Sequence, residues 1–264
     1  MIQPGPGEYV LFQIDRSAMI VYNLATLTFS VREMTESENE LREKANEIHR
    51  RLIQVYGLPT RQPELDPVSQ LVNTILSQNT NDKNRDLAFM QLRQRYETWE
   101  QVRDADPAEV IEAIRPAGLA NQKGPRIQEA LRYITQQRGE LDLNFLADWP
   151  LDAAKAWLSS LNGVGPKTAA IVLLFSLGKP AFPVDTHIHR VTQRLGLIGP
   201  RVSREQAHTI LEGLLAPTDY FAFHLNVIRH GREICVSRNP RCHRCSLRPL
   251  CNYYQTTANR SVLA

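Results

Sequence analysis

Three groups of residues in this 264-residue chain have types and spacings that could do chemistry. The first lies in Leu161 to Arg190, LNGVGPKTAAIVLLFSLGKPAFPVDTHIHR, which holds Lys167 and Asp185. Gly163-Val164-Gly165 reads as a tight turn between helices, with Pro166 at a first helical position and Lys167 in the new helix's first turn. Asp185-Thr186 starts the following helix. A neutral lysine amine is a nucleophile toward electrophilic carbon, and a carboxylate can steady developing positive charge or carry a proton. Backbone N–H groups where a glycine turn feeds a helix suit an anion such as a phosphate. Each feature also has a plain structural reading. GxGxK is a common hairpin turn with a solvated lysine, and Asp before Thr-His-Ile is an ordinary N-cap.

The second group is Cys235, Cys242, Cys245 and Cys251, spaced C-x6-C-x2-C-x5-C within the last thirty residues. They lie among Arg, Asn, Pro and His, poor surroundings for inert buried thiols, so a metal is the reading to weigh. Structural zinc sites usually pair two short Cys-x2–4-Cys arms, and only Cys242 to Cys245 is such an arm. Wider, unequal spacings suit an iron–sulfur cubane. Both metals accept four thiolates, and the chemistry alone leaves both open. The third group is Arg229, Arg232, Arg238, Arg241, Arg244 and Arg248, opposed by the single acid Glu233. That local density could contact phosphates, although the net charge of +3 does not by itself argue for them.

These residues need elements to position them, and the pattern is helical. Leu41, Ala45, Ile48, Leu52 and Val55 form one apolar face on a helix ended by Gly57. Arg61 to Glu64 is a polar connection. Asp66-Pro67 is an N-cap and first-turn proline for VSQLVNTILS. Gln78 to Asp82 is a cluster of short polar side chains with an obvious capping role. A helix over about 83–96 carries Leu87, Met90 and Leu92, and Asp106 starts another, with Glu109 placed as in a capping box. Leu119 sits in a loop of small residues before a helix over 122–137. Short helices follow near 144–149 and over 151–161. The run from Thr168 to Leu177 is almost wholly apolar, as in a helix buried all round. Beyond Asp185 come a helix ended by Gly196, a Ser203 capping box leading to Leu215, and a helix from Tyr220 closed by Gly231. Residues 1–35 open on a loose Pro/Gly start and continue as β-branched and aromatic sequence, read as an extended segment or short hairpin. No βαβ unit or repeat is evident, and the class is all-α. No secretory signal or membrane span is evident either, which points to an intracellular protein with reduced thiols.

From about Thr35 to Cys251 the chain resembles the endonuclease III family of helix-hairpin-helix DNA glycosylases. The resemblance rests on LNGVGPKTA at 161–169, VDTHIHR at 184–190 and the cysteine array. Any one motif recurs elsewhere; the three in this order and spacing are specific. The resemblance implies two α-helical domains flanking a DNA-binding cleft. One is a bundle over 61–179 bearing the hairpin; the other joins 36–60 to 180–264 and carries a 4Fe–4S cluster on Cys235, Cys242, Cys245 and Cys251. It implies Lys167 as catalytic lysine and Asp185 as catalytic aspartate of a bifunctional DNA N-glycosylase and abasic-site lyase acting on oxidised pyrimidines. The partner is double-stranded DNA with a damaged base or abasic site, and the expected state is a monomer in the cytoplasm, associated with the nucleoid. Gln78, Asn79, Leu119, Gly163, Val164, Gly165, Thr168 and His187 become candidate DNA contacts, with Asn79 and Leu119 as wedges into the vacated stack. Three departures stand out. Asn79 occupies the place of a glutamine frequent in the family, 138–161 is longer than in compact members, and residues 1–35 have no counterpart. The rivals are an adenine-type glycosylase, in which tyrosine replaces the lysine, a monofunctional mismatch or uracil glycosylase relying on Asp185, and a non-catalytic damage sensor.

Overall fold

The computed structural model describes the backbone of residues 9–13, 18–23, 28–33, 35–60 and 65–262, and the side chains of 35–60 and 65–257. The expected polar connection at 61–64 and the Pro/Gly start lie outside these residues. The extended reading of the N-terminal segment resolves into three strands, β1 (Tyr9–Gln13), β2 (Ala18–Asn23) and β3 (Thr28–Glu33). They form an antiparallel sheet in the order β1-β2-β3, with Tyr9 opposite Asn23 and Ala18 opposite Glu33. Everything after it among the described residues is helical or connecting, so the all-α class holds for the body of the chain.

Twelve α-helices are described: α1 (Glu36–Tyr56), α2 (Pro67–Ser77), α3 (Asp82–Arg95), α4 (Trp99–Asp104), α5 (Pro107–Ala113), α6 (Ala120–Arg138), α7 (Leu151–Ser159), α8 (Pro166–Ser176), α9 (Thr186–Leu195), α10 (Arg204–Leu214), α11 (Tyr220–Glu233) and α12 (Asn252–Val262). Their starts are written in the sequence. Thr35, Asp66, Asn81, Thr98, Asp106, Asp185 and Ser203 each accept a first-turn backbone N–H. Ser203 closes the expected capping box with Gln206. Glu109 differs: no capping box forms at Asp106, and the glutamate pairs with Arg95 at 2.8 Å instead.

The buried residues form two hydrophobic clusters. One runs from Val68 to Ala181 through α2 to α8. The other gathers Ala45, Ile48 and Leu52 of α1 with α9 to α11, Leu247 and Cys251. Isolated helices are marginal in water, and burying each Ile or Leu contributes about 1.5–3 kcal/mol, so α1 owes its stability to that second cluster. Helix α8 is shared: Val172 and Leu173 belong to the first cluster and Leu174 to the second. This explains its apolar sequence, although Ile171 and Phe175 also line a cleft, Phe175 while packing against the second cluster. Val55, expected on the apolar face of α1, is on the surface instead, as are the apolar Leu87 and Met90 of α3, while His49 and Ala88 take buried places on the same helices. No helix among the described residues is long and apolar enough to cross a membrane.

Candidate active site and nucleic-acid interface

The turn before α8 divides its work among three residues. Gly163 has φ +79°, a left-handed conformation, and a Cβ there would come within 2.8 Å of Arg126 Cδ. Glycine is therefore required by the fold. Val164 departs from the expectation that its N–H serves a ligand, because it donates to Leu161 O at 3.0 Å and its side chain is buried in the first cluster. Gly165 is the N-cap of α8 with φ −94° and ψ 179°, and a Cβ there would meet nothing within 4 Å. Neither conformation nor packing asks for glycine at 165. No side chain caps α8, so its leading N–H groups and positive dipole end face the cleft unanswered.

That cleft, of about 730 Å³ and open to solvent, lies between the two clusters. It is lined by Gln78, Asn79, Gly165, Lys167, Thr168, Asp185 and His187 among the predicted residues. Gly163, Val164 and Leu119 lie outside its lining. Lys167 is the second residue of α8 and half-buried. Asp185 is the N-cap of α9, its Oδ1 accepting the Ile188 N–H at 2.7 Å. The capping role and the cleft position coexist, because the cap engages one of the two carboxylate oxygens. Asn79 and Leu119 both have left-handed backbones, φ +51° and +50°. Leu119 projects 48% exposed from the start of α6. Asparagine tolerates that region, but for a bulky residue it is a strained conformation that the surroundings must hold. Gln78 Nε2 donates to Gly163 O at 3.1 Å, joining the α2–α3 loop to the hairpin turn.

Three histidines of the wall complete the electrostatics. His224, on α11, is buried, and desolvation pushes its pKa down to about 4 against the opposing pull of Asp185. Its Nδ1–H donates to Pro183 O at 3.0 Å, burial favours the neutral imidazole, and the ring is in electrostatic reach of both Asp185 and Lys167. His208 is likewise lowered by burial and bonds Phe182 O at 2.7 Å. His187, lowered by burial, accepts from Arg190 Nη2 at 3.1 Å on Nδ1, which leaves Nε2–H as its donor. His208 and His224 carry no motif, and the sequence reading missed them; the only signal was a histidine at a helical spacing among apolar residues. Across the cleft mouth Asp82 pairs with Arg232 at 2.6 Å. Burial works to raise the Asp82 pKa, but the Arg232 hydrogen bond and the charges of Arg85 and Arg232 outweigh it and the net shift is downward.

The four cysteines line a separate small pocket with Arg194, His230, Arg248, Tyr253 and Tyr254. Arg194 Nη1 donates to Cys235 Sγ at 3.4 Å, and His230 Nε2 lies 3.5 Å from Cys245 Sγ. Burial pushes the Cys245 thiol up to about 11, with the other three sulfurs adding to the rise. Four thiolates here repel one another, and a polycationic group among them would reverse that penalty. Among the described residues no group of three or more His, Cys, Asp or Glu is already arranged to hold a single metal ion.

Residues 72–217 match the HhH-GPD superfamily of base excision DNA repair proteins. The chain is 34% identical over 204 residues to endonuclease III of Thermotoga maritima, covering 77% of this chain and 91% of that one. It is 36% identical over 186 residues to endonuclease III of Sulfolobus acidocaldarius, covering 70% and 81%. In three dimensions it is similar to a trapped endonuclease III–DNA covalent intermediate, with a TM-score of 0.70 and 25% identity over 85% of this chain and 99% of that one.

Proposed function

We propose, from the premise that this chain belongs to the endonuclease III family of the HhH-GPD superfamily of base excision DNA repair proteins, that it is a bifunctional DNA glycosylase and abasic-site lyase. The observation that carries the reading is the placement of Lys167 and Asp185 at the mouths of two successive helices in one cleft. The substrate is duplex DNA with an oxidised pyrimidine, which costs less to extrude than a well-stacked base. Gly165 and the uncapped start of α8 receive a backbone phosphate, while Asn79 and Leu119 fill the vacated stack. With the nucleotide in the cleft, neutral Lys167 Nζ bonds to C1′ as the glycosidic bond breaks and the base leaves with its electron pair and takes a proton. Asp185 stabilises the positive charge that builds on the sugar, and ring opening yields the Schiff base. Loss of a C2′ proton then expels the 3′ phosphate and nicks the strand. His224, uncharged, adds no cation to compete with the reacting amine.

We further assign residues 61–179 as a bundle domain and 36–60 with 180–264 as a second domain, and take the chain to act as a monomer. Cys235, Cys242, Cys245 and Cys251 hold a 4Fe–4S cluster, a reading supported by their lining one pocket and by the resemblance of their spacing to the family's array. Bound there, the cluster supplies a covalent brace for the arginine-rich loop. The test is to incubate the protein with a duplex containing one thymine glycol and add borohydride. A covalent adduct that vanishes in Lys167→Gln is the expected result. Base release without an adduct would move the assignment to a monofunctional glycosylase, and binding with neither would make the chain a sensor.

A further inference from the structure

We propose that Lys123 is a positioning residue, tying the loop that carries Asn79 to the loop that carries Leu119 so that both enter the duplex in one register. The proposal rests on the wedge reading of those two residues. Lys123 lies in the second turn of α6 and is 1% exposed, making it one of the largest fully buried side chains. Its Nζ donates to Leu76 O at 2.8 Å and to Ala117 O at 2.8 Å. Leu76 is in the last turn of α2, where carbonyls have no helical partner. Ala117 ends the 3-10 turn Arg115–Ala117 that precedes Leu119. From these two anchors it is three residues to Asn79 and two to Leu119.

Both wedge residues hold left-handed backbones, and among the described residues Asn239 is the only other non-glycine to do so. Conformations of that kind persist where the surroundings over-determine them, and one ammonium gripping both loops is such a constraint. Gly124 makes the grip reachable, since a Cβ there would come within 2.9 Å of Ile111 Cγ1 and push α6 outward. Packing alone does not account for the lysine. An apolar side chain would fill the slot without the cost of burying a cation, often with equal or better stability. What the lysine adds is two directional bonds to two different loops. With Gln78 holding Gly163 O, the two wedge loops and the hairpin turn are then in fixed register.

The test places 2-aminopurine beside thymine glycol in a duplex and reads its fluorescence on binding, with all proteins carrying Lys167→Gln to stop turnover. The parent is expected to give a large rise, Leu119→Ala a small one, and Lys123→Met one as small as Leu119→Ala. In proteins retaining Lys167, Lys123→Met should slow single-turnover excision from the paired duplex by about 10²-fold, the scale of a 1 Å misplacement, and leave excision from single-stranded DNA little changed. The Lys123→Met/Leu119→Ala double variant should be no slower than the slower single, because both act through one insertion. Full unstacking by Lys123→Met beside a defective Leu119→Ala overturns the tie alone, as does multiplicative slowing in the double variant. Normal unstacking by Leu119→Ala overturns the wedge reading and the tie with it. Should Lys123→Met fail to fold, Lys123→Gln is read by hydrogen exchange. Faster exchange at 78–81 and 118–121 together supports the tie, and unchanged exchange at either loop overturns it.

Discussion

Gly163 and Gly165 stand two residues apart in one turn, and the structure gives them opposite reasons for being glycine. Alanine at 163 must adopt φ +79° and displace Arg126, whose Cδ would be 2.8 Å from the new Cβ. The left-handed backbone costs about 1–2 kcal/mol, and the arginine, being flexible, adds little. For a chain of this size each kcal/mol lowers Tm by roughly 2–4 °C, so Gly163→Ala should melt about 2–8 °C below the parent. Alanine at 165 meets no atom within 4 Å and keeps an ordinary extended backbone. Its loss of unfolded-state entropy stabilises by about 0.4–1 kcal/mol, and its poorer N-capping costs a similar amount. Gly165→Ala should therefore melt with the parent.

Binding separates them further. If Gly165 is bare because a phosphate approaches the backbone there, its Cβ displaces that phosphate. Affinity for duplex DNA should fall about tenfold, equivalent to about 1.4 kcal/mol, with the slope of log K against log salt little changed, because a neutral backbone N–H neutralises no phosphate charge. Thermal denaturation and fluorescence anisotropy at several salt concentrations measure both quantities. A Gly165→Ala protein that keeps its affinity would refute the phosphate argument. A Gly163→Ala protein that melts with the parent would refute the conformational one.

Asp185→Asn retains a good N-cap and should keep its Tm while losing about 10²–10³ in single-turnover excision, the scale of a removed charge-stabilising group; Asp185→Ala should lose about 1 kcal/mol of stability as well. His224 has a folded pKa of about 4, below its unfolded value of 6.5. The unfolded chain binds more protons between those values, so stability is full above about pH 6.5 and is lost as pH falls toward 4, by roughly 3 kcal/mol at the limit. His224→Gln should flatten that part of a Tm–pH curve, and an unaltered acid limb would count against a neutral buried ring. Cys245→Ser should abolish the visible absorbance and the iron and sulfide content of the purified protein, whereas zinc by metal analysis in the parent would favour the other reading of the four thiols.

Most of the architecture was legible because it is specified locally. The caps at Asp66, Asp106, Asp185 and Ser203 are short side chains accepting the N–H groups just after them, which needs no knowledge of the rest of the chain. Position on a helix face is different. Of the apolar residues Leu87, Met90 and Leu92 on α3 only Leu92 is buried, beside Ala88, because a neighbour, not the helix, chooses the face. The same holds for α1, where Val55 fits the period but lies on the surface while His49 is inside. Lys167 and Asp185 were readable from motifs. His224 and Lys123 were not, because a buried polar residue is recognised by its partners, and Pro183 for His224 and Leu76 for Lys123 are distant in sequence.

Gly231 sharpens the distinction. In sequence it looks like a stop signal for the helix beginning at Tyr220, but α11 continues through it to Glu233. Its backbone needs no positive φ. Its missing side chain is what matters: a Cβ there would come within 3.1 Å of His187 Cβ and 3.3 Å of Arg190 Nη2. Its carbonyl accepts from that same Nη2 at 2.9 Å, and Nη2 in turn holds His187 Nδ1. A mid-helix glycine costs about 1 kcal/mol relative to alanine, and here that cost lets α9 settle on α11 closely enough to orient a cleft histidine. Glycines at 163, 165 and 231 thus serve a backbone angle, an open approach and a helix crossing. One residue type in one site answers three physical requirements, which only the coordinates of its neighbours tell apart.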